Sequence, residues 1–292
     1  MEALDYQAPA TLDEAVAILA KHGAEARVLA GGTDLIIQVR ERRRQAAVMV
    51  DVKAIPELTA IEWTAAGGLR LGGAVPCIRI YRDPRIVRQY PALIDSTSLI
   101  GGMQIQSRAS IGGNLCNSSP AADSIPALIA LDAICHITGP ADRRAIPVAE
   151  FCTGPGTNVL GAGELLVAIE FPPPAAHAGA AFERFIPRNE MDIAVVNAAA
   201  SVTLSSDGRT FESARVAAGA VAPLPLYVAA AGSALSGQPV SDATIEAAAA
   251  AVRAAARPIT DMRGSAAQRR HLAGVLTTRV LNKAVERARG PR

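Results

Sequence analysis

The hydrophobic positions of the chain change their spacing along its length, and the first pattern predicts a β-α-β unit. A capping box at residues 11–14 opens a stretch with apolar side chains at helical spacing, and short apolar runs at 28–30 and 47–52 are typical of buried strands. Between those runs, the glycine pair at 31–32 precedes an amphipathic segment that begins at Leu35. The pattern therefore places a loop at the carboxyl end of a strand, where ligands commonly bind in parallel sheets.

A second pattern begins near residue 55, where apolar and polar residues alternate over 58–64 and 69–72 around a glycine pair. This alternation predicts a hairpin, and hence an antiparallel region. Short helices are predicted at 78–81, 86–89, 92–98 and 124–131, and strands at 133–138, 145–148 and 165–171.

A third pattern follows the proline run at 172–174, which interrupts regular structure. Here the sequence predicts strands at 181–186, 195–204 and 211–218, then helices at 226–235, 241–256 and 265–289. Six basic side chains on the last helix form either a docking face or a solvated face: Arg269, Arg270, Arg279, Lys283, Arg287 and Arg289. The prediction is an α+β protein of three units: residues 1–54, 55–176 and 177–292.

Composition narrows the class of protein. Of 292 residues, 50% are hydrophobic and only 3% aromatic, so small aliphatic side chains must build the cores. A formal charge of +2 predicts no nucleic-acid partner.

No apolar run has the length of a membrane span, and the first six residues lack the pattern of a leader, so we expect a cytoplasmic chain. The four cysteines show no metal-binding spacing, which favours reduced thiols and no metal site.

Two glycine-containing loops carry the candidate chemistry. In the first, Gly31 and Gly32 permit close approach of a ligand, Thr33 or Asp34 is in position to cap the next helix, and the loop predicts a phosphate site. The second is a long irregular stretch, residues 99–123, that is rich in glycine, serine and asparagine. Its polar side chains suit the phosphates and sugars of a dinucleotide: Ser110, Asn114, Ser118, Ser119 and Asp123.

Other motifs are missing from the sequence. It contains no G-x-G-x-x-G opening a β-α-β unit, no phosphate loop ending in Gly-Lys-Ser/Thr and no nucleophile elbow. The four histidines have no metal-ligand spacing, and no catalytic residue can be nominated. A bound cofactor must therefore carry any reaction in which the chain takes part.

Six segments together resemble one family. They are residues 30–34 (AGGTD), 110–114 (SIGGN), 117–123 (NSSPAAD), 164–172 (ELLVAIEFP), 188–196 (RNEMDIAVV) and 263–272 (RGSAAQRRHL). In this order they resemble the FAD-binding medium subunit of molybdenum hydroxylases, the group that includes xanthine dehydrogenase and carbon monoxide dehydrogenase.

The resemblance implies a fold and a set of cofactor contacts. The fold is the vanillyl-alcohol-oxidase (PCMH) type, with two α/β subdomains followed by a three-stranded antiparallel sheet with helices. Two loops hold the FAD pyrophosphate, Asp123 holds the adenosine side, Ile100 and Leu166 line the cofactor, and Arg184 takes a basic role that the alignment places near Glu183. The implied cofactor-binding residues are Ala30, Gly31, Gly32, Thr33, Asp34, Ile100, Ser110, Ile111, Gly112, Gly113, Asn114, Asp123, Leu166 and Arg184.

The resemblance also implies partners. A large subunit would hydroxylate substrate at a molybdopterin-type molybdenum cofactor, a small subunit would carry two [2Fe-2S] clusters, and this FAD-carrying chain would pass their electrons to an external acceptor within a dimer of heterotrimers. Thr33 and Asp34 stand where carbon monoxide dehydrogenases carry His-Ser, which disfavours carbon monoxide as substrate. Two alternatives remain at this stage: a stand-alone flavoenzyme of the same fold, and a cofactor-free assembly subunit.

Overall fold

The first sheet is built as the hydrophobic pattern predicts. In the computed structural model, which describes residues 4–290, three parallel strands lie in the order β1-β3-β2. They are β1 (Asp5–Gln7), β2 (Ala26–Leu29) and β3 (Val48–Asp51), with α1 (Leu12–His22) and α2 (Leu35–Arg40) as the connections. Thr11 and Glu14 form the predicted capping box at α1. At α2, Asp34 takes the capping position, but its side chain makes no capping hydrogen bond.

A five-stranded antiparallel sheet forms the second unit, in the order β4-β5-β10-β6-β7. Its strands are β4 (Ile61–Trp63), β5 (Leu69–Gly72), β6 (Ile134–Thr138), β7 (Arg143–Pro147) and β10 (Leu165–Phe171), and β8 (Cys152–Gly154) pairs separately with β9 (Thr157–Asn158). The predicted hairpin is present, but its first strand is shorter than predicted. Residues 56–59 form the short helix α3 (Pro56–Thr59), because Pro56 fits the first helical turn.

Six helices lie between β5 and β6 along the chain: α4 (Cys77–Tyr81), α5 (Pro84–Gln89), α6 (Pro91–Thr97), α7 (Met103–Gln106), α8 (Ile111–Asn117) and α9 (Ser124–Ala130). All of them except α7 contribute side chains to the hydrophobic core of the second unit. The prediction of an irregular stretch over 99–123 was therefore wrong, since α7 and α8 lie within it. The physical reason is the Ser110 side chain, which accepts a hydrogen bond from the Gly113 amide and caps α8. Glycine weakens a helix, but here the cap and packing outweigh that preference.

The third unit is an antiparallel sheet, β11-β12-β13-β14, covered by helices. Its strands are β11 (Ala178–Phe185), β12 (Val196–Leu204), β13 (Phe211–Gly219) and β14 (Leu226–Tyr227), and its helices are α10 (Ala229–Leu235), α11 (Asp242–Ala255) and α12 (Ala266–Arg289). The three predicted strands are present. Leu226 and Tyr227 were predicted as helix but form a two-residue edge strand, because they pair with Ala218 and Ala217.

The basic residues of α12 do not form one continuous surface. Arg269 is buried, and its guanidinium donates to the carbonyls of Val195 and Ala220 and to the Asp261 carboxylate. The guanidinium of Arg287, on the same helix, binds Asp95 of α6. Both interpretations offered for this helix, a docking face and a fully solvated face, were therefore wrong for these two residues.

The remaining expectations concern the ends of the chain and the membrane. Residues 1–3 and 291–292, which include the outer bounds of the first and third predicted units, lie outside the described residues. Within residues 4–290, no helix combines the length and apolar character that crossing a bilayer requires.

Candidate cofactor site

A cavity of about 350 Å³ lies between the first sheet and the second unit, and both glycine loops line it. The β2-α2 loop contributes one wall, and the start of α8 contributes the other. Eleven of the predicted contact residues line this cavity: Ala30, Gly31, Gly32, Thr33, Asp34, Ile100, Ser110, Gly112, Gly113, Asn114 and Leu166. Segments about eighty residues apart in sequence thus contribute to one concave surface.

The first loop needs glycine for packing as well as for ligand approach. A Cβ atom on Gly31 would lie 2.1 Å from the Arg108 carbonyl oxygen, so the loop touches the turn before α8 directly. Gly32 has a φ of +74°, which is unfavourable for other residues. In the described chain, the amides of Gly31, Gly32 and Thr33 donate to no other backbone group. These donors are available to a ligand in the cavity.

The second loop is the first turn of α8, and its two glycines have different surroundings. A Cβ atom on Gly112 would lie 2.3 Å from the carbonyl oxygen of Gly73, in the turn after β5. A Cβ atom on Gly113 would meet only the Ser110 hydroxyl, at 3.1 Å. Gly112 therefore lets α8 pack against the sheet, whereas Gly113 keeps the cavity wall open.

Side-chain amides fix the second loop and join the two units. The Asn114 Oδ1 atom accepts from the Ser124 hydroxyl at 2.6 Å, which ties α8 to α9. The Gln38 Nε2 group donates to Asn117 Oδ1 at 3.0 Å, across the boundary between the units. The first bond therefore connects α8 to α9, and the second connects α8 to α2.

Five residues proposed for the site lie away from the cavity lining. The Ser118 hydroxyl donates to the Leu115 carbonyl, and the Ser119 hydroxyl accepts from the Ala121 amide, so both serve local structure. Ile111 is buried in the core of the second unit. Asp123 is the fourth, and it starts α9.

Asp123 forms a buried ion pair with Arg184, which also lies outside the lining. The Arg184 guanidinium binds one carboxylate oxygen, and the Asn197 amide donates to the other at 3.4 Å. Burial raises the pKa of Asp123 to about 6, against the opposing effect of Arg184. Asp123 and Arg184, to which the resemblance assigns separate cofactor contacts, thus contact each other. A direct contact of either residue with FAD stays a prediction.

Several lining residues were not predicted. They include Arg27, Gln38, Arg44, Gly73, Asn158, Leu160 and Glu164. For Glu164 the sequence contained a signal of a place in the site, since this residue opens the family-like segment 164–172 directly before a strand. Arg27 and Arg44 had none, because the sequence does not show that the start of β2 and the turn before β3 face one cavity.

The lining suits an FAD molecule by its chemistry. Backbone amides at Gly31 and Gly32, the Thr33 hydroxyl and two arginines are donors of the kind that bind phosphate oxygens. Ile100 and Leu166 add apolar surface of the kind that covers a flat ring system. The fold and this cavity define a flavin-dinucleotide-binding protein with a C-terminal domain of sheet and helices.

Comparisons with known proteins agree with that class. The family described as "FAD binding domain in molybdopterin dehydrogenase" matches residues 2–174, and "CO dehydrogenase flavoprotein C-terminal domain" matches residues 181–284. The putative xanthine dehydrogenase FAD-binding subunit of Escherichia coli (strain K12) is 36% identical over 286 residues, which cover 98% of this chain and 97% of that protein.

Two further comparisons involve carbon monoxide dehydrogenase of Hydrogenophaga pseudoflava. Its medium chain is 32% identical over 281 residues, 96% of either chain. The solved structure of that enzyme lacking the Mo-pyranopterin moiety matches with a TM-score of 0.93 over 97% of this chain and 98% of the other. This chain therefore belongs to the FAD-binding family of the molybdopterin dehydrogenases, and it is an oxidoreductase subunit whose cofactor is FAD.

Proposed function

We propose that this chain is the FAD-carrying electron-transfer subunit of a multi-subunit molybdenum hydroxylase. In this proposal it takes electrons from [2Fe-2S] clusters on a small partner and passes them to an external acceptor. The observation that carries the proposal is the cavity between the two glycine loops, in a chain that matches a flavin subunit over 98% of its length.

The cavity's own side chains support a role without substrate chemistry. Cys116 lines the cavity, but burial raises the pKa of its thiol to about 12, so it is not a thiolate nucleophile at neutral pH. The Glu164 carboxylate accepts from the Arg144 guanidinium at 2.8 and 2.7 Å, so it is held by that contact. Substrate oxidation then falls to a large partner with a molybdopterin-type cofactor.

FAD, when bound, supplies a carrier that exchanges one or two electrons. The contribution of this chain is to position the cofactor. The amides of Gly31, Gly32 and Thr33 would bind the phosphates of FAD, and Ile100 and Leu166 would pack against its ring system. The hydrogen bond from Gln38 to Asn117 links the two walls of the cavity.

Co-expression of this chain with its native partner subunits tests the proposal. We expect a complex that contains FAD, molybdenum and iron, and rapid mixing with the oxidisable substrate should bleach the iron–sulfur and flavin absorbance together. Removing FAD should abolish transfer to the external acceptor while substrate still reduces the clusters. A chain that purifies alone with FAD and oxidises a substrate unaided would instead support the stand-alone flavoenzyme, and family membership already disfavours the cofactor-free subunit.

A further inference from the structure

A second cavity, of about 970 Å³, opens between the second and the third unit. None of the residues predicted to contact FAD lines it. Its volume is at the upper end of the range for pockets that bind organic ligands, so a single ion would not fill it. We call it the basic cleft, because five basic side chains line it: Arg85, Arg88, Arg215, Lys283 and Arg287.

The floor of the basic cleft is the part of the C-terminal sheet that α9 leaves uncovered. Ser201 and Thr203 of β12 pair with Arg215 and Ser213 of β13, and all four residues line the cleft. Directly opposed residues of neighbouring strands point to the same face of a sheet, so these side chains share one surface. α9 packs on that face and ends at Ala130, whose carbonyl accepts from the Ser201 hydroxyl at 2.6 Å. Beyond the helix, the sheet therefore presents a polar surface.

One wall of the cleft, on α5, carries two arginines without an acidic partner. Arg85 and Arg88 take part in none of the ion pairs found within residues 4–290. The Arg85 guanidinium carbon lies 3.6 Å from the centre of the Trp63 ring, a stacking contact that leaves the N–H edge of the group free. The Asp83 carboxylate caps α5 by accepting from the backbone amides of residues 85 and 86.

The other charges of the cleft do not cancel this excess. Asp132 binds Arg215 at 2.9 Å. Asp95, which does not itself line the cleft, is shared by the two basic residues of α12. Glu286 is the third carboxylate, and it is exposed to solvent. Five basic side chains thus face three carboxylates, so the cleft keeps a net positive charge.

An unpaired acceptor on the same wall indicates the kind of anion that fits. The Gln89 Oε1 atom is buried and has no hydrogen-bond partner in the described part of the chain. A buried acceptor without a donor is unfavourable. A peptide amide would donate to this atom, whereas inorganic phosphate presents acceptor oxygens. The carboxylates of the same peptide would bind the free guanidinium groups.

We propose that the basic cleft binds an extended acidic segment of a partner subunit. The inference rests on the proposed function for the existence of such subunits. The carboxylates of the segment would bind Arg85 and Arg88, and one of its amides would donate to Gln89. A second copy of this chain does not supply the segment, because the only adjacent acidic residues in its sequence, Asp13 and Glu14, lie in α1.

Zero-length cross-linking of the complex, co-expressed with its native partner subunits, tests this assignment. In an Arg88→Lys variant, a carbodiimide joins the amine at position 88 to a carboxylate in contact with it. We expect mass spectrometry to find this cross-link to an aspartate or glutamate of an acidic partner segment. Arg82→Lys is the matched control, because Arg82 is exposed and lies outside the cleft, and it should give no cross-link to that segment.

A fluorescein-labelled hexaglutamate peptide, mixed with the purified FAD-loaded chain, tests the charge preference separately. We expect fluorescence anisotropy to show binding at low ionic strength. Arg85→Glu and Arg88→Glu should each weaken it at least about 10-fold, since a charge-assisted contact is lost. Arg82→Glu makes the same change in net charge and should bind the peptide as the parent does. Arg88 is exposed, so its variant decides the test even if Arg85→Glu fails to fold.

The proposed site and the proposed function would fail in different ways. An intact complex in which position 88 cross-links only to carboxylates of this chain would overturn the site alone. Equal weakening of peptide binding by Arg82→Glu and Arg88→Glu, or binding of ATP but not of hexaglutamate, would also overturn it. A parent chain that forms no complex with partner subunits would refute the proposed function, and with it the assignment of the cleft to a partner.

Discussion

Gly112 and Gly113 are neighbours in one helical turn, yet their missing side chains serve different purposes. A Cβ atom on Gly112 would overlap the backbone of Gly73, whereas one on Gly113 would meet only the tip of the Ser110 side chain. Both residues line the cavity. Substitution at these two positions can therefore separate an effect on folding from an effect on cofactor binding.

We expect Gly113→Val to fold and to lose FAD. Its side chain would project from an open wall of the cavity, so the unfolding midpoint should stay near the parental value while FAD affinity falls at least about 10-fold. Gly112→Ala, in contrast, should lower the free energy of unfolding by about 1–3 kcal/mol, as overpacked cores do. Thermal unfolding of the flavin-free chains and FAD titration measure the two effects. Equal loss of stability in both variants would contradict the distinction.

Glu164 makes the stability of the cavity wall depend on pH. Hydrogen bonds from Arg144 and from the Gly161 amide lower the pKa of Glu164 below its ordinary value. A carboxyl group with a lowered folded-state pKa stabilises the fold above its unfolded pKa, and this stabilisation is lost as the pH falls through the folded value. At pH 7, Glu164→Gln should be less stable by about 1 kcal/mol, a figure reduced for partial exposure of the pair.

The pH profile of urea unfolding checks this assignment. The difference between parent and Glu164→Gln should shrink as the pH falls below the ordinary value of 4.5 for a glutamate. Glu246→Gln is a control, because that carboxylate is exposed in its pair with Arg253. A difference that stays constant from neutral to acid pH would show that the charge of Glu164 does not stabilise the wall.

At the scale of elements, α8 shows why a glycine-rich segment was predicted as irregular. Its sequence, IGGNLCN, has poor helix propensity, and only the Ser110 cap is local evidence for a helix. The remaining support comes from distant residues: Gly73 lies under Gly112, and Ser124 binds Asn114. In contrast, α1 was predicted correctly because its cap and apolar face are all local.

Asp95 of α6 joins the second unit to the third. Its carboxylate accepts from both terminal nitrogens of Arg287, at 2.6 and 2.9 Å, and from the Phe182 amide of β11 at 3.2 Å. Lys283 lies 3.4 Å from the same carboxylate. One carboxylate thus holds both α12 and the edge strand of the C-terminal sheet.

We expect Asp95→Asn to lower the free energy of unfolding by about 1–3 kcal/mol, because hydrogen bonds to a charged group are lost and Arg287 stays half-buried. Thermal unfolding of the flavin-free chain measures this effect. The control Glu246→Gln should change stability by less than about 0.5 kcal/mol, as exposed pairs commonly do. An Asp95→Asn variant as stable as this control would show that apolar packing alone holds the units together.

At the scale of the whole molecule, most of the succession of strands and helices along the chain could be predicted from the sequence, since apolar periodicity is a local signal. The pairing of Asp123 with Arg184 could not, because it depends on how α9 meets β11. That Arg27 and Arg44 line one cavity could not be predicted either, because they come together only in the folded chain. The two glycine loops were found because each has a recognisable sequence, and the family resemblance connected them.

A crystal structure of the full-length chain with FAD is the most direct test of the central claim, that both glycine loops hold one FAD pyrophosphate. We predict that the pyrophosphate lies within hydrogen-bonding distance of the amides of the 30–34 loop and of the 110–114 loop, in the cavity between the first two units. A pyrophosphate that contacts only one loop, or FAD bound elsewhere on the chain, would contradict this account.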